Sequence, residues 1–213
     1  PVAAIVAALF AFSYKSKKEK NTFITLEKPV TVVIDAGHGI DAAGNHTGVT
    51  AADESHEDDI VLSIAKKIKE LNKNDRLRII LTRENQNIVD LKKRVEFANS
   101  QNADLLISLH INTASKEETN TKGIDILYSA KNTKYLAENK ILATILYNYF
   151  YQIHSVNDIT QPKKGVYVID ASHCPSVLVE CGYLTDPNDL AFVKDESGQA
   201  QIAKSILQSI EQY

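Results

Sequence analysis

The sequence predicts an α/β domain: an open, mostly parallel twisted sheet of about six strands with helices on both faces. Three observations lead there. Short β-branched runs stopped by glycine or polar residues alternate with longer stretches whose apolar residues recur at three- and four-residue spacing. A chain of 213 residues, 44% of them hydrophobic, buries one sizeable core and leaves little for a second domain. No internal repeat or low-complexity tract breaks the alternation.

The chain opens on an apolar run, Pro1 to Tyr14, followed at once by Lys15-Ser16-Lys17-Lys18-Glu19-Lys20. The run is too short to span a bilayer alone, and the sequence begins without methionine. Residues 1–28 are therefore expected to be the remnant of a signal peptide or membrane anchor, of roughly 20 apolar residues when complete, plus a lysine-rich linker. The folded domain is expected over residues 29–213.

Within that domain Val30 to Asp35 reads as a buried strand, β-branched and stopped by Gly37 and Gly39. A loop rich in Gly, Asn, Thr and Ala leads to Glu57, where Ile60, Ile64, Ile68 and Leu71 mark an amphipathic helix whose acidic start, Glu57-Asp58-Asp59, suits the helix dipole. Leu77 to Thr82 is a second strand. Ile88 to Ser100 is a second helix, with Leu91, Val95 and Ala98 on one face and an Asp90/Arg94 ion pair at i, i+4. Asp104 to Asn112 and Gly123 to Tyr128 are strands, and Lys134 to Ile153 is a long helix with Ile141, Leu142, Ile145, Leu146 and Tyr149 apolar. Gly165 to Ile169 and Ser176 to Cys181 supply two more strands, and Ile202, Ile206 and Ile210 mark a closing helix.

A formal charge of −3 provides no broad basic face, so nucleic acid is not expected as a partner, and the domain is read as a monomer. Cys174 and Cys181 lie seven residues apart, about 23 Å of extended chain, whereas a disulfide needs Cα atoms within about 7 Å. Two free thiols packed as small hydrophobes are expected.

Parallel sheets collect ligands beyond the carboxyl ends of their strands. His38 and His110 both stand where an apolar strand ends, and Glu180 comes near the close of another. Glu57 begins a helix three residues before its first apolar position, so its side chain can reach the same crevice; for this acidic cluster the alternative is a solvated helix start. Two imidazoles and one carboxylate leave zinc's fourth tetrahedral position open to water, the mark of a catalytic rather than a structural site. Glu180 sits in an apolar strand, which is costly for a carboxylate unless it is paired, protonated or near a metal. It is the candidate base, with a buried salt bridge to a residue such as Arg83 as the alternative. His46, His56 and His154 are weaker candidates, and His173 is placed near the crevice.

Five ordered blocks resemble one family: Val33-Ile34-Asp35-Ala36-Gly37-His38-Gly39; Glu57-Asp58-Asp59-Ile60-Val61-Leu62-Ser63-Ile64-Ala65; Leu81-Thr82-Arg83; Ser108-Leu109-His110-Ile111-Asn112 with Gly123; and Pro175-Ser176-Val177-Leu178-Val179-Glu180-Cys181-Gly182-Tyr183-Leu184-Thr185-Asp186-Pro187. The sequence is similar to the zinc-dependent N-acetylmuramoyl-L-alanine amidases of the amidase-3 type from about residue 30 to 213. The resemblance implies a peptidoglycan hydrolase that cleaves the amide between N-acetylmuramic acid and L-alanine. It implies zinc (Zn2+) on His38, Glu57 and His110, Glu180 as the catalytic glutamate, and a periplasmic or cell-wall location. Ile40 and Cys181 depart from the usual pattern without removing a functional group. Some relatives carry an inserted helix that plugs the site; only Thr113 to Lys122 separates the third strand from Gly123 here, so an open site is expected. The competing enzyme reading is a zinc carboxypeptidase, with Arg83 as the substrate-carboxylate residue; the competing non-enzyme reading is an inactive peptidoglycan-binding module.

Overall fold

The computed structural model describes residues 28–115 and 121–213. The expected leader or anchor and most of its linker, and part of the connection after Asn112, lie outside the described residues. Five strands form one sheet: β1 (Val30–Ala36), β2 (Leu77–Leu81), β3 (Leu105–Asn112), β4 (Asp125–Tyr128) and β5 (Ser176–Tyr183), in spatial order β2-β1-β3-β5-β4. The first four in that order run parallel, and β4 closes the edge antiparallel to β5. Among the described residues no helix is long and apolar enough to cross a membrane.

The two faces are covered unequally. Val32 and Ile34 of β1, Ile107 and Leu109 of β3, and Val177 and Val179 of β5 join the large core under α1 (Glu57–Leu71), α3 (Leu136–Phe150) and α6 (Glu196–Gln212). A fourth helix, α5 (Pro187–Lys194), which was not separately expected, adds Val193 to that core. The opposite face holds a small cluster of Val33, Leu106, Val95, Ala98, Val168 and Cys174, under only α2 (Leu91–Ser100) and the single turn α4 (Tyr167–Asp170). Strand residues alternate faces. The polar residues Asp35, Ser108 and Glu180 therefore all emerge on this thinly covered side.

The expected sixth strand, Gly165 to Ile169, is instead the turn α4. Both edges of β5 are already paired, and the free side of β4 takes single bridges from Val156 and Thr160. With the edges of β5 and β4 so occupied, the segment satisfies its backbone locally: Ile169 and Asp170 donate to the Val166 carbonyl, and the turn buries Val168 and Ile169. The long helix is shorter than expected, with a 3-10 turn over Thr133–Tyr135 before α3. Its inward residues are Asn139, Leu142, Ala143, Leu146 and Phe150, which leaves Ile141 on the outer face at 54% exposure. Leu91, expected on the inner face of α2, is also exposed; the inward place one turn later belongs to Arg94.

Arg94 overturns the expected Asp90 pairing. Its Nη1 lies 2.8 Å from Asp35 Oδ1, with both side chains buried, while Asp90 faces Lys93 at the surface. Burial alone would raise the Asp35 carboxyl; Arg94 together with hydrogen bonds from the Thr82 and Ser108 hydroxyls outweighs it and holds the group below its ordinary value of 3.8. A carboxyl whose folded value is depressed stabilises the fold above its ordinary value, and that contribution disappears as pH falls through the folded value. Asp35→Asn, which leaves a buried guanidinium unpaired, is expected to cost about 3–5 kcal/mol near neutral pH. Urea denaturation across pH checks it: the gap between wild type and variant should be widest at neutral pH and close below the ordinary carboxyl range.

Candidate metal centre

Each ligand-capable side chain is delivered by a different element. β1 stops at Ala36, and the turn that follows places His38 in the left-handed region with φ of +57°. Two glycines make room for what crosses there. A Cβ on Gly37 would stand 2.5 Å from His110 Cε1, and one on Gly48 would stand 2.7 Å from both Glu57 Oε2 and His38 Cγ. Glu57 opens α1, and both its oxygens are fixed by backbone: Oε2 accepts from Val49 N at 2.9 Å and Oε1 from Ile111 N at 3.0 Å. His110 comes from the end of β3.

These three meet. His38 Nε2 and His110 Nδ1 lie 3.2 and 3.1 Å from Glu57 Oε1, and 3.2 Å from each other. Ligands about 2.0–2.1 Å from a tetrahedral ion stand about 3.3 Å apart, so the triangle has close to the right edges. The donor set agrees. Oε1 already takes a backbone N–H, and two imidazole N–H groups would bring three donors to one oxygen; neutral imidazoles with lone pairs turned to a shared cation remove that crowding. Glu57 is 2% exposed while His38 and His110 are 31% and 19% exposed, so the triangle is closed behind and open toward solvent. The residues present therefore fit a zinc ion.

Glu180 stands opposite His110 in the β3/β5 register and opposite Asp125 in the β4/β5 register. Its Oε2 is buried with no hydrogen-bond partner among the described residues. Burial first, then the charges of Glu57 and Asp125, push its carboxyl up to about 8. Glu57 moves the other way: burial raises it, but His110 and His38 outweigh that and hold it at about 2. Glu57 thus leans toward the carboxylate and Glu180 toward the protonated acid.

Beside Glu180, the Tyr183 hydroxyl donates to Asp125 Oδ2 at 2.5 Å and Asn157 Nδ2 donates to Oδ1 at 2.8 Å. Sequence reasoning passed over Asp125; the signal was an acidic residue inside the apolar strand that follows Gly123. Arg83, expected to meet substrate, is 4% exposed and donates to the carbonyls of Ala36, Gly37, Asp58 and Asn85. Its geometry is that of a brace beneath the His38 turn.

The helix start is less solvated than its composition suggests, for Asp58 is fully buried and both its oxygens lie within 3.0 Å of His46 Nδ1. His46 stacks on His56 at 3.7 Å. His154 pairs with Asp189 at 2.7 Å, and Asp189 also accepts from Gly123 N and Tyr183 N. His173 precedes β5, at the opposite end of the strand from Glu180, and is exposed rather than lining the crevice. Both cysteines are buried free thiols, Cys174 pushed up to about 11 by burial and Cys181 raised further by burial beside Glu180. A cleft of about 620 Å³ between Leu71–Arg76 and α6 holds no comparable ligand group; at this site chemistry, not cavity size, marks the place.

Known proteins share the arrangement of chain and sheet. The crystal structure of the N-acetylmuramoyl-L-alanine amidase from Clostridium difficile 630 matches with a TM-score of 0.76 at 30% identity, over 87% of this chain and 97% of that one. The catalytic domain of CwlV, the N-acetylmuramoyl-L-alanine amidase of Bacillus (Paenibacillus) polymyxa var. colistinus, matches with a TM-score of 0.76 at 28% identity, over 86% and 97% of the two chains. The N-acetylmuramoyl-L-alanine amidase LytC of Bacillus subtilis is 32% identical over 189 residues, which are 82% of this chain and 35% of LytC. The sequence matches the family Amidase_3, N-acetylmuramoyl-L-alanine amidase, over residues 32–212, from within β1 to the last residue of α6. Blocks, fold and metal-capable triangle thus coincide over the same span, and the chain belongs to the amidase-3 family of N-acetylmuramoyl-L-alanine amidases.

Proposed function

We propose that this chain hydrolyses the amide between the lactyl group of N-acetylmuramic acid and the L-alanine of the peptidoglycan stem peptide. In this reading His38, Glu57 and His110 hold a zinc ion and Glu180 is the general base. One observation carries it: three donor atoms from three separate elements within 3.2 Å of one another, beside a buried carboxyl oxygen with no partner among the described residues.

Bound zinc supplies Lewis acidity, bringing the pKa of a water toward neutrality and polarising a carbonyl. The residues of the chain supply the rest. Glu57, fixed by Val49 N and Ile111 N, keeps its carboxylate in place, and His38 Nε2 and His110 Nδ1 would offer their lone pairs to the ion. Glu180 takes a proton from the attacking water and returns it to the leaving alanine nitrogen, base first and acid second. Burial, Glu57 and Asp125 favour its protonated form, which suits the acid step, and a divalent cation on the triangle would favour the carboxylate that the base step needs. Asp125 is held in turn by Tyr183 and Asn157.

An amide within a polymer fits better than the C-terminal residue of a free peptide. Arg83 was the candidate to bind a substrate carboxylate, and its guanidinium is engaged by four protein carbonyls. Work outside the cytoplasm follows from a peptidoglycan substrate, and the apolar run Pro1 to Tyr14 before the lysines supports export or anchoring.

Purified peptidoglycan is expected to release new L-alanine amino termini on digestion, without loss of C-terminal stem residues. A chelator should abolish this and added zinc restore it; mass spectrometry of the digest decides, and trimming of the stem from its C-terminus would favour the carboxypeptidase reading. Glu180→Gln is expected to keep one zinc per chain while turnover falls by about 10²–10⁴. His38→Ala should lose both. Metal analysis beside a turnover assay separates the two roles, and full activity in the Glu180 variant would end this mechanism.

A further inference from the structure

The turn that carries His38 is held by two arginines that the mechanism above does not use. His38 has a φ of +57°, a conformation that a residue with a side chain rarely adopts unless its surroundings impose it. Three consecutive carbonyls of the turn end on the two guanidiniums. Arg83 donates Nε to Ala36 O at 3.0 Å and Nη2 to Gly37 O at 2.8 Å; Arg94 donates Nη1 to Ala36 O at 2.5 Å and Nη2 to His38 O at 2.6 Å. The same Arg83 Nη2 also donates to Asp58 O at 2.7 Å, so one group ties the His38 turn to the helix start that carries Glu57. Arg94 is fixed in turn by Asp35.

We propose that Arg83 and Arg94, the latter anchored by Asp35, are positioning residues for the metal centre: they hold the imidazole of His38 at its distance from Glu57 and His110. The proposal rests on His38 being a zinc ligand. Two buried cations so close repel each other and are costly to desolvate, and between them they bond every carbonyl from Ala36 to His38. A guanidinium presents several donors in a rigid plane, whereas an ammonium cannot bridge the same set of carbonyls, so lysine keeps the charge and loses the geometry.

The test uses the full chain with Arg83→Lys, Arg94→Lys, His38→Ala and Val95→Ala. Val95 is buried on α2 beside Arg94, in the small cluster with Val33 and Leu106, and offers no donor to the His38 turn, so its variant reports the loss of packing without the loss of the guanidinium bonds. Zinc affinity is read by competition with a chelating indicator, ligand geometry by the visible spectrum of the cobalt-substituted protein, and folding by thermal unfolding without metal. The lysine variants are expected to lose about 10–100-fold in zinc affinity and to shift the cobalt spectrum, while Val95→Ala is destabilised with affinity and spectrum unchanged. Lysine variants that keep wild-type affinity and spectrum, or lose them only as far as Val95→Ala does, overturn the proposal. Failure of both lysine variants to fold also overturns it, since the arginines would then be holding the domain rather than His38. Wild-type affinity in His38→Ala overturns the ligand reading itself, whereas zinc loss there with unchanged lysine variants overturns the positioning role alone.

Discussion

Buried charge compensation at the end of β1 is the constraint around which the site is arranged. Asp35 lies in the sheet, out of contact with water, and its two oxygens are used by Arg94, Thr82 and Ser108. Each partner sits on a different element: α2, the end of β2, and β3. The carboxylate thus joins three pieces of the domain, and the arginine it fixes is free to turn its remaining donors upward to the carbonyls of the His38 turn. A hydrophobic residue at position 35 would pack as well, but it could not direct a guanidinium. The polar cluster makes an exact backbone arrangement possible where a greasy one would leave the turn free to relax.

The unequal covering of the sheet explains why the site opens where it does. Three long helices seal one face, so the strand residues that point there are apolar without interruption. The other face has a ten-residue helix and a single turn, which cover Val33 and Leu106 but leave the carboxyl ends of β3 and β5 reachable. His110 and Glu180 occupy those ends. Glu57 arrives from the helix that starts over the end of β1, and the absence of side chains on Gly37 and Gly48 lets it come within reach of both histidines. The histidines keep some exposure there, while Glu57 and the Glu180 Oε2 lie behind them out of water.

Much of this was legible from residue order. Short apolar runs placed β1, β2, β3 and β5, and spacings of three and four placed the principal helices; His38, His110 and Glu180 stood out because each interrupts or follows an apolar run, and Glu57 because it opens a helix just ahead of its first apolar position. The places where reading failed have a common physical cause. Gly165 to Ile169 is apolar and short, as a strand would be, but apolar character reports burial and not the mode of backbone pairing; whether a ladder edge remains free is a property of the whole sheet. Arg94 paired with Asp90 on spacing because local neighbours are all that a single helix displays, while its real partner lies on a strand 59 residues earlier. Arg83 was recognisable as a cation near the site, but its orientation, down into carbonyls and not up toward substrate, depends on which groups the fold leaves unsatisfied. Asp125 acquires meaning only from register, since nothing in its own segment points to Glu180.

The opposite behaviour of Glu57 and Glu180 follows from the same geometry. Both are carboxyls withdrawn from water, and withdrawal alone raises the proton affinity of each. Glu57 escapes this because two imidazoles and two backbone N–H groups converge on it, so that its ionised form is the better-solvated one inside the protein. Glu180 has no such donors at Oε2 and has two acidic neighbours. A divalent cation at the triangle would more than offset the charge of Glu57, leaving a net attraction for an ionised Glu180. The burial and Asp125 contributions would persist. On the proposed mechanism, then, a bound cation favours the carboxylate that takes a proton from water, while burial and Asp125 favour the protonated form that carries it to the amide nitrogen. In this reading Asp125, held by Tyr183 and Asn157, bears on that balance through its charge alone.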